Sequence, residues 1–133
     1  MILPKRIFES WVLWLKEVVA MKYFLNDTER RAAGGTCYHE FHRGKWDGKS
    51  YWYADSLNIH DDWIWSLGLA RLICSVIDYY DEYGETEVNA EQWKKIYEGA
   101  EKIGGELFEA VKEVAPWAED NFHQHEVFTI LGI

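Results

Sequence analysis

The sequence predicts an α+β fold: three main helices packed on a small antiparallel sheet, made of a hairpin over about 36–54 and a C-terminal strand over about 126–131. Three observations carry this. Apolar residues recur at helical spacing early in the chain, around 61–80 and again from Trp93. Two short runs of β-favouring residues flank Asp47-Gly48, a pair suited to a tight turn. The chain closes on "HEVFTILGI", too apolar and too β-branched to be left in water. With 133 residues, 48% of them hydrophobic and 17% aromatic, residues 1–133 form a single compact domain, far too apolar for a disordered chain.

Taken in order, Ile7 to Leu25 reads as a helix, with Phe8, Trp11, Val12, Leu15 and Val19 on one face and further apolar residues widening the arc. Asp27 with Arg30 and Arg31 can open a short helical turn that Gly34-Gly35 breaks. "TCYHEFH" and "KSYWYAD" then read as the two arms of the hairpin, with Cys37, His39 and Phe41 on one parity and Tyr38, Glu40 and His42 on the other. Asn58 is an acceptable N-cap for a second long helix, with Asp61 and Asp62 in its first turn and Gly84 as its breaker. The third helix has the clearest start. Asn89 caps it, Gln92 can return the hydrogen bond, and Val88 can staple onto Trp93. Its apolar face runs to Val114 and Pro116 stops it, with "WAEDNF" adding one further turn. Trp11, Trp63 and Trp93 read as core, and Cys74 as a small buried hydrophobe.

Charge narrows the function classes. The formal net charge is −9, and from Leu72 to Trp93 there is no Lys or Arg against Asp78, Asp81, Glu82, Glu85, Glu87 and Glu91. Such a surface repels a phosphate backbone, so a basic protein is a more natural partner than nucleic acid. Five cations between Arg30 and Lys49, facing Glu40 and Asp47, suggest an electrically two-sided molecule. Glu9, Lys16 and Glu17 interrupt the first apolar run, which argues against a signal peptide or a membrane span and for a cytoplasmic protein.

Chemistry could reside in "CYHEFHRGKW". Cys37, His39 and His42 are suitable atom types for zinc, and His60, His123 and His125 could complete a set from distant segments, giving a small metal-dependent hydrolase or metal-binding protein. Strand alternation turns His42 away from Cys37 and His39, however, and no paired CxxC or HExxH spacing supports a metal. Cys37 as a nucleophile lacks a protease signature, "GGT" lacks the lysine of a phosphate loop, and Asp78 with Glu82 lacks a cleft. No cofactor is implied. Recognition of another protein therefore ranks first: a non-catalytic acidic accessory protein, binding through Trp46, Tyr51 and Tyr53 and through Asp78, Asp81, Glu82 and Glu85. In size and charge the chain resembles small acidic accessory proteins, among them toxin-neutralising immunity proteins, which would imply a basic toxin as partner. A homo-oligomer joined through a sheet edge or surplus aromatic surface is a third class.

Overall fold

The computed structural model describes residues 21–133. Along the chain come β1 (Phe24–Leu25), α1 (Asp27–Ala33), β2 (Tyr38–Arg43), β3 (Leu57–His60), α2 (Asp61–Ser66), α3 (Leu69–Val76), β4 (Glu85–Asn89), α4 (Ala90–Ile103), α5 (Gly105–Phe122) and β5 (Val127–Leu131). Among the described residues, five helices, four of them of seven residues or more, pack on a five-stranded sheet, which replaces the three main helices and small sheet expected from sequence. Strand order is β1-β3-β2-β5-β4, every pair antiparallel.

Four expectations are corrected. Residues 7–20 of the expected first helix lie outside the described residues, and its last two, Phe24 and Leu25, are strand, paired with Ile59 and Asn58. The hairpin partner of β2 is Leu57–His60, while "KSYWYAD" belongs to the long connection between the two strands. Asn58 therefore sits in a strand, and His60 caps the helix instead: its Nδ1 accepts from the Asp62 amide at 3.1 Å. The long second helix is broken at Gly68, whose φ of +85° suits glycine, and ends at Val76; a fifth strand, β4, fills part of the supposed acidic loop.

The third helix starts as expected. Asn89 Oδ1 accepts from the Gln92 amide, Gln92 Oε1 accepts from the Asn89 amide, and Val88 and Trp93 are both buried. It ends at the positive-φ pair Gly104-Gly105, beyond which α5 runs unbroken through Pro116 to Phe122. A proline there forfeits one helical hydrogen bond, a cost of roughly 3 kcal/mol. Burial of Trp117, Ala118 and Asn121 on the far side of Pro116 offsets it.

Register separates the sheet into two unlike faces. On one, Phe24, Ile59, Phe41, Ile130, Phe128 and Val88 join the residues of α2 to α5 in a single apolar cluster. Phe128 is its hub, with the rings of Phe41, Trp93, Trp117 and Phe122 around it at centroid distances of 5.3–5.9 Å. The other face carries Glu40, His42, Asn58 and Thr129, all buried although polar. Helix α1 and the 44–56 connection cover them. Trp93 is core as expected, but Trp63 is partly exposed on α2 and Cys74 is exposed on α3.

Candidate functional site

The buried polar face is organised around one carboxylate. Glu40 accepts from the Trp52 amide at 2.7 Å, the Tyr53 amide at 3.0 Å and the Ser56 hydroxyl at 2.6 Å. A carboxylate is acceptor-only, so three convergent donors satisfy it without a cation. Trp52 holds φ at +65°, an uncommon conformation for a bulky residue, and its ring lies under the Arg30 guanidinium at 4.0 Å. Arg30 is in turn paired with Asp27 at 2.9 Å. Asp47 Oδ1 accepts from the Lys49 and Ser50 amides and Oδ2 from the Tyr53 hydroxyl. The Ser50 amide first and the Lys49 amide second lower the Asp47 pKa to about 2. The Asp47-Gly48 turn is thus real but serves inside a long strap over the sheet.

This strap ties up most of the aromatic set expected to bind a partner. Trp46 is half-buried, its Nε1 donating to the Ser50 carbonyl and its ring against Tyr51 at 5.1 Å. Tyr53 leans on His42 at 4.5 Å. Tyr51 alone of the three is largely exposed. Three of the five cations of 30–49 are already paired, Arg30 and Arg31 with Asp27 and Arg43 with Asp120 at 2.6 Å.

The Cys and His residues are dispersed. His39 is wholly buried and its Nε2 donates to Asp61 Oδ1 at 2.8 Å, tying β2 to the first turn of α2. Its Nδ1 is buried with no hydrogen-bond partner among the described residues, so the pair has the orientation of a base and its carboxylate but no nucleophile or solvent at the second nitrogen. His42 lies on the opposite sheet face, bonded to the Lys45 carbonyl, and His60 caps α2. His123 and His125 are exposed beyond α5, and Cys37 is exposed beside β2. Among the described residues no three His, Cys, Asp or Glu side chains are placed to hold a metal ion, which leaves the metal-hydrolase alternative without support.

A cleft of about 540 Å³ opens beside β1 and β3, lined by Lys22, Tyr23, Tyr38, His60, Asp62 and Trp63 among others. Its walls are aromatic, with Tyr23 edge-on to Trp63 at 4.9 Å and Tyr38 edge-on to His60 at 5.1 Å. The Tyr23 hydroxyl donates to Glu106, the main reason its pKa is raised. Asp62 is the single carboxylate among the described lining residues and stands 3.6 Å from His60 Nδ1, so the cleft offers no pair of carboxylates.

The acidic end is arranged differently. After α3 the chain turns over 77–84, where Asp81 Oδ1 accepts from the Tyr83 amide at 2.9 Å and the Asp81 amide donates to Thr86 at 3.1 Å. This presents two tyrosines to solvent, Tyr79 65% and Tyr83 74% exposed. Tyr80 between them turns inward; burial first, then the neighbouring Cys74, Glu82, Asp61 and Asp81, push its hydroxyl well above the usual tyrosine range. Asp78, Asp81, Glu85 and Glu87 are exposed and Glu82 half-exposed, and none pairs with a cation among the described residues.

No family model, curated protein or solved structure matches the chain.

The carboxylates of this end were legible as candidates from composition. Tyr79 and Tyr83 were not singled out, although "DYYDEYG" places them among three acidic residues. Glu87 was missed as a candidate because its strand was missed. The alternation in "ETEVN", exposed at Glu85, Glu87 and Asn89 and buried at Thr86 and Val88, was the available signal. Among the described residues no helix is long and apolar enough to cross a membrane.

Proposed function

We propose that the protein is a non-catalytic, cytoplasmic accessory protein that binds a basic partner protein through its acidic end, the loop 77–84 and β4. The observation that carries this reading is the exposure of Tyr79 and Tyr83 among carboxylates that have no cationic partner among the described residues. Tyrosine offers large contact area at low entropic cost, and at an interface centre it is a common anchor. The surrounding carboxylates steer a cationic surface toward it and reject an anionic one. Tyr51, with Trp46 and Tyr53 behind it, is a second binding element at the strap. The likeness in size and charge to immunity proteins makes a basic toxin one such partner.

The test is capture of a partner from cells by the full chain, followed by affinity measurement with the purified partner. The Tyr79→Ser, Tyr83→Ser double variant should bind roughly thirtyfold more weakly, as loss of about 2 kcal/mol at an anchor implies. Tyr51→Ser should matter less, and raising the salt should weaken binding. A double variant that binds the same partner with unchanged affinity sinks the reading.

A further inference from the structure

Among the described residues strand β4 ends the sheet, and the ladder fixes which of its backbone groups face outward. Gly132 N donates to Gly84 O at 2.7 Å, in the register that also opposes Glu85 to Leu131 and Thr86 to Ile130. Opposed residues of an antiparallel pair alternate between exchanging both hydrogen bonds and exchanging none. Thr86 and Val88 therefore bond to β5, while Glu85, Glu87 and Asn89 direct N–H and C=O away from the sheet. Two observations agree with this phase. The Asn89 amide is spent on Gln92 Oε1 in the capping box, and on the far side of the sheet Asp61 N donates to Cys37 O, as the same alternation requires. The N–H and C=O of Glu85 and Glu87 have no partner among the described residues. The residues whose backbone is open are thus the residues whose side chains are exposed carboxylates.

We propose that the free edge of β4 takes up an extended segment of the partner as a sixth strand, with Lys or Arg at alternate positions opposite Glu85 and Glu87. This rests on the reading of the acidic end as the face for a basic partner and specifies its mode. Backbone bonding gives the affinity and the alternate side chains give the selectivity. Residues directly opposed across such a pair stand about 5 Å apart, where opposite charges stabilise and like charges do the reverse. A second copy of this chain is disfavoured for that reason. Pairing β4 with itself antiparallel through its outward groups sets Glu87 against Glu87, Glu85 against Glu85, or one against the other. Tyr83 and Ile133 are both exposed, and Ile133 N donates to the carbonyl of Glu82, the residue before Tyr83; the two side chains supply apolar contact at the end of the edge.

The experiment uses the full chain and three capped peptides of alternating lysine and valine: unmodified, N-methylated on the valines, and N-methylated on the lysines. All three carry the same charge. With the peptide antiparallel to β4 and its lysines opposite the glutamates, the lysine amides face β4 and the valine amides face solvent. The unmodified and valine-methylated peptides should bind alike, shift the Glu85 and Glu87 amide resonances and protect them from exchange. The lysine-methylated peptide should bind about tenfold or more weaker, the loss of about one backbone bond or more. In the protein, Glu87→Pro removes an outward N–H and leaves the β5 ladder intact, so it should keep its circular dichroism and melting temperature yet lose the peptide. Glu87→Gln should weaken binding only a few-fold, as an exposed charge pair implies. If Glu87→Pro misfolds, the methylated peptides decide alone. Equal binding of all three peptides, or binding of none, overturns strand addition. The broader reading of the acidic face fails separately, when partner capture ignores Tyr79 and Tyr83.

Discussion

Glu40→Gln tests whether one carboxylate holds the strap on the sheet. The side chain is 1% exposed and receives two backbone amides and one hydroxyl. Glutamine keeps the shape but offers one oxygen and one NH2. If the oxygen stays with Trp52, the NH2 meets the Tyr53 amide; if it stays with Tyr53, the NH2 meets the Trp52 amide. Ser56 can rotate to accept, but in either orientation one backbone donor loses its acceptor. An unsatisfied buried donor costs about 1–3 kcal/mol, and the surviving bond loses its charge assistance. Some of this returns as the buried charge disappears, so the expected net loss is about 2 kcal/mol. Relief of the Trp52 backbone does not cancel it, because the Trp52 ring is held independently by Arg30. Urea unfolding should show a lower midpoint at unchanged slope. Amide exchange at Trp52 and Tyr53 should quicken by roughly thirtyfold, the equivalent of that energy. A variant within about 0.3 kcal/mol of the parent, with unchanged exchange at both amides, refutes the reasoning.

Two further outcomes follow from the strap and from α5. The Asp47 pKa is about 2, below the unfolded value near 4, so its contribution to holding the loop is complete above the unfolded value and fades as pH falls from about 4 toward 2. Exchange at the Lys49 and Ser50 amides should accelerate in that window; Asp47→Asn, which keeps the Oδ1 acceptor, should abolish the step, and a parent protein with no step refutes the assignment. Pro116→Ala restores an amide that can donate to the Lys112 carbonyl, and should stabilise by about 1–2 kcal/mol after allowing for the freer unfolded chain. A fall in the urea midpoint would mean that the proline is held for packing.

What was legible followed from short-range physics. The α4 cap is a reciprocal pair within four residues, and the C-terminal strand is a run of β-branched and bulky residues, so both stand in the structure where sequence puts them. The misassigned segments are those where local preference competes with a distant partner. "SYWYA" has stronger β preference than "LNIH", yet "LNIH" pairs with β2 because Leu57 and Ile59 fit the apolar face while Asn58 fits the polar one. The aromatic run is needed instead as cover, with its amides turned onto Glu40. Asn58 can cap a helix as well as His60 can, and tertiary pairing decides between them. Pro116 stops a helix only if nothing beyond it is worth burying, and Trp117 is. The site residues divide likewise: composition marks the carboxylates, but the exposure of Tyr79 and Tyr83 against the burial of Tyr80 depends on a turn closed by Asp81 and Thr86.

The sheet itself argues for where interaction can occur. One face is closed by α2 to α5 and the other, over β2 and β3, by α1 and the strap, both with buried side chains. Toward β4 the strap no longer reaches, since Glu85 and Glu87 stand exposed on the same face where Glu40 is sealed. An uncovered edge strand invites unwanted pairing, and charges along it are the usual protection. In the proposed mode of binding, protection and recognition are the same feature. Two carboxylates on the residues that expose their backbone bar a second copy of this chain and any acidic strand, while a strand with cations at the matching alternation meets both open amides and both charges. Lysines in place of both glutamates would protect the edge equally well against self-pairing and would reverse which strand it accepts. Glu85→Lys, Glu87→Lys should therefore remain monomeric and lose the lysine–valine peptide; a variant that still binds it would show that charge plays no part in the choice.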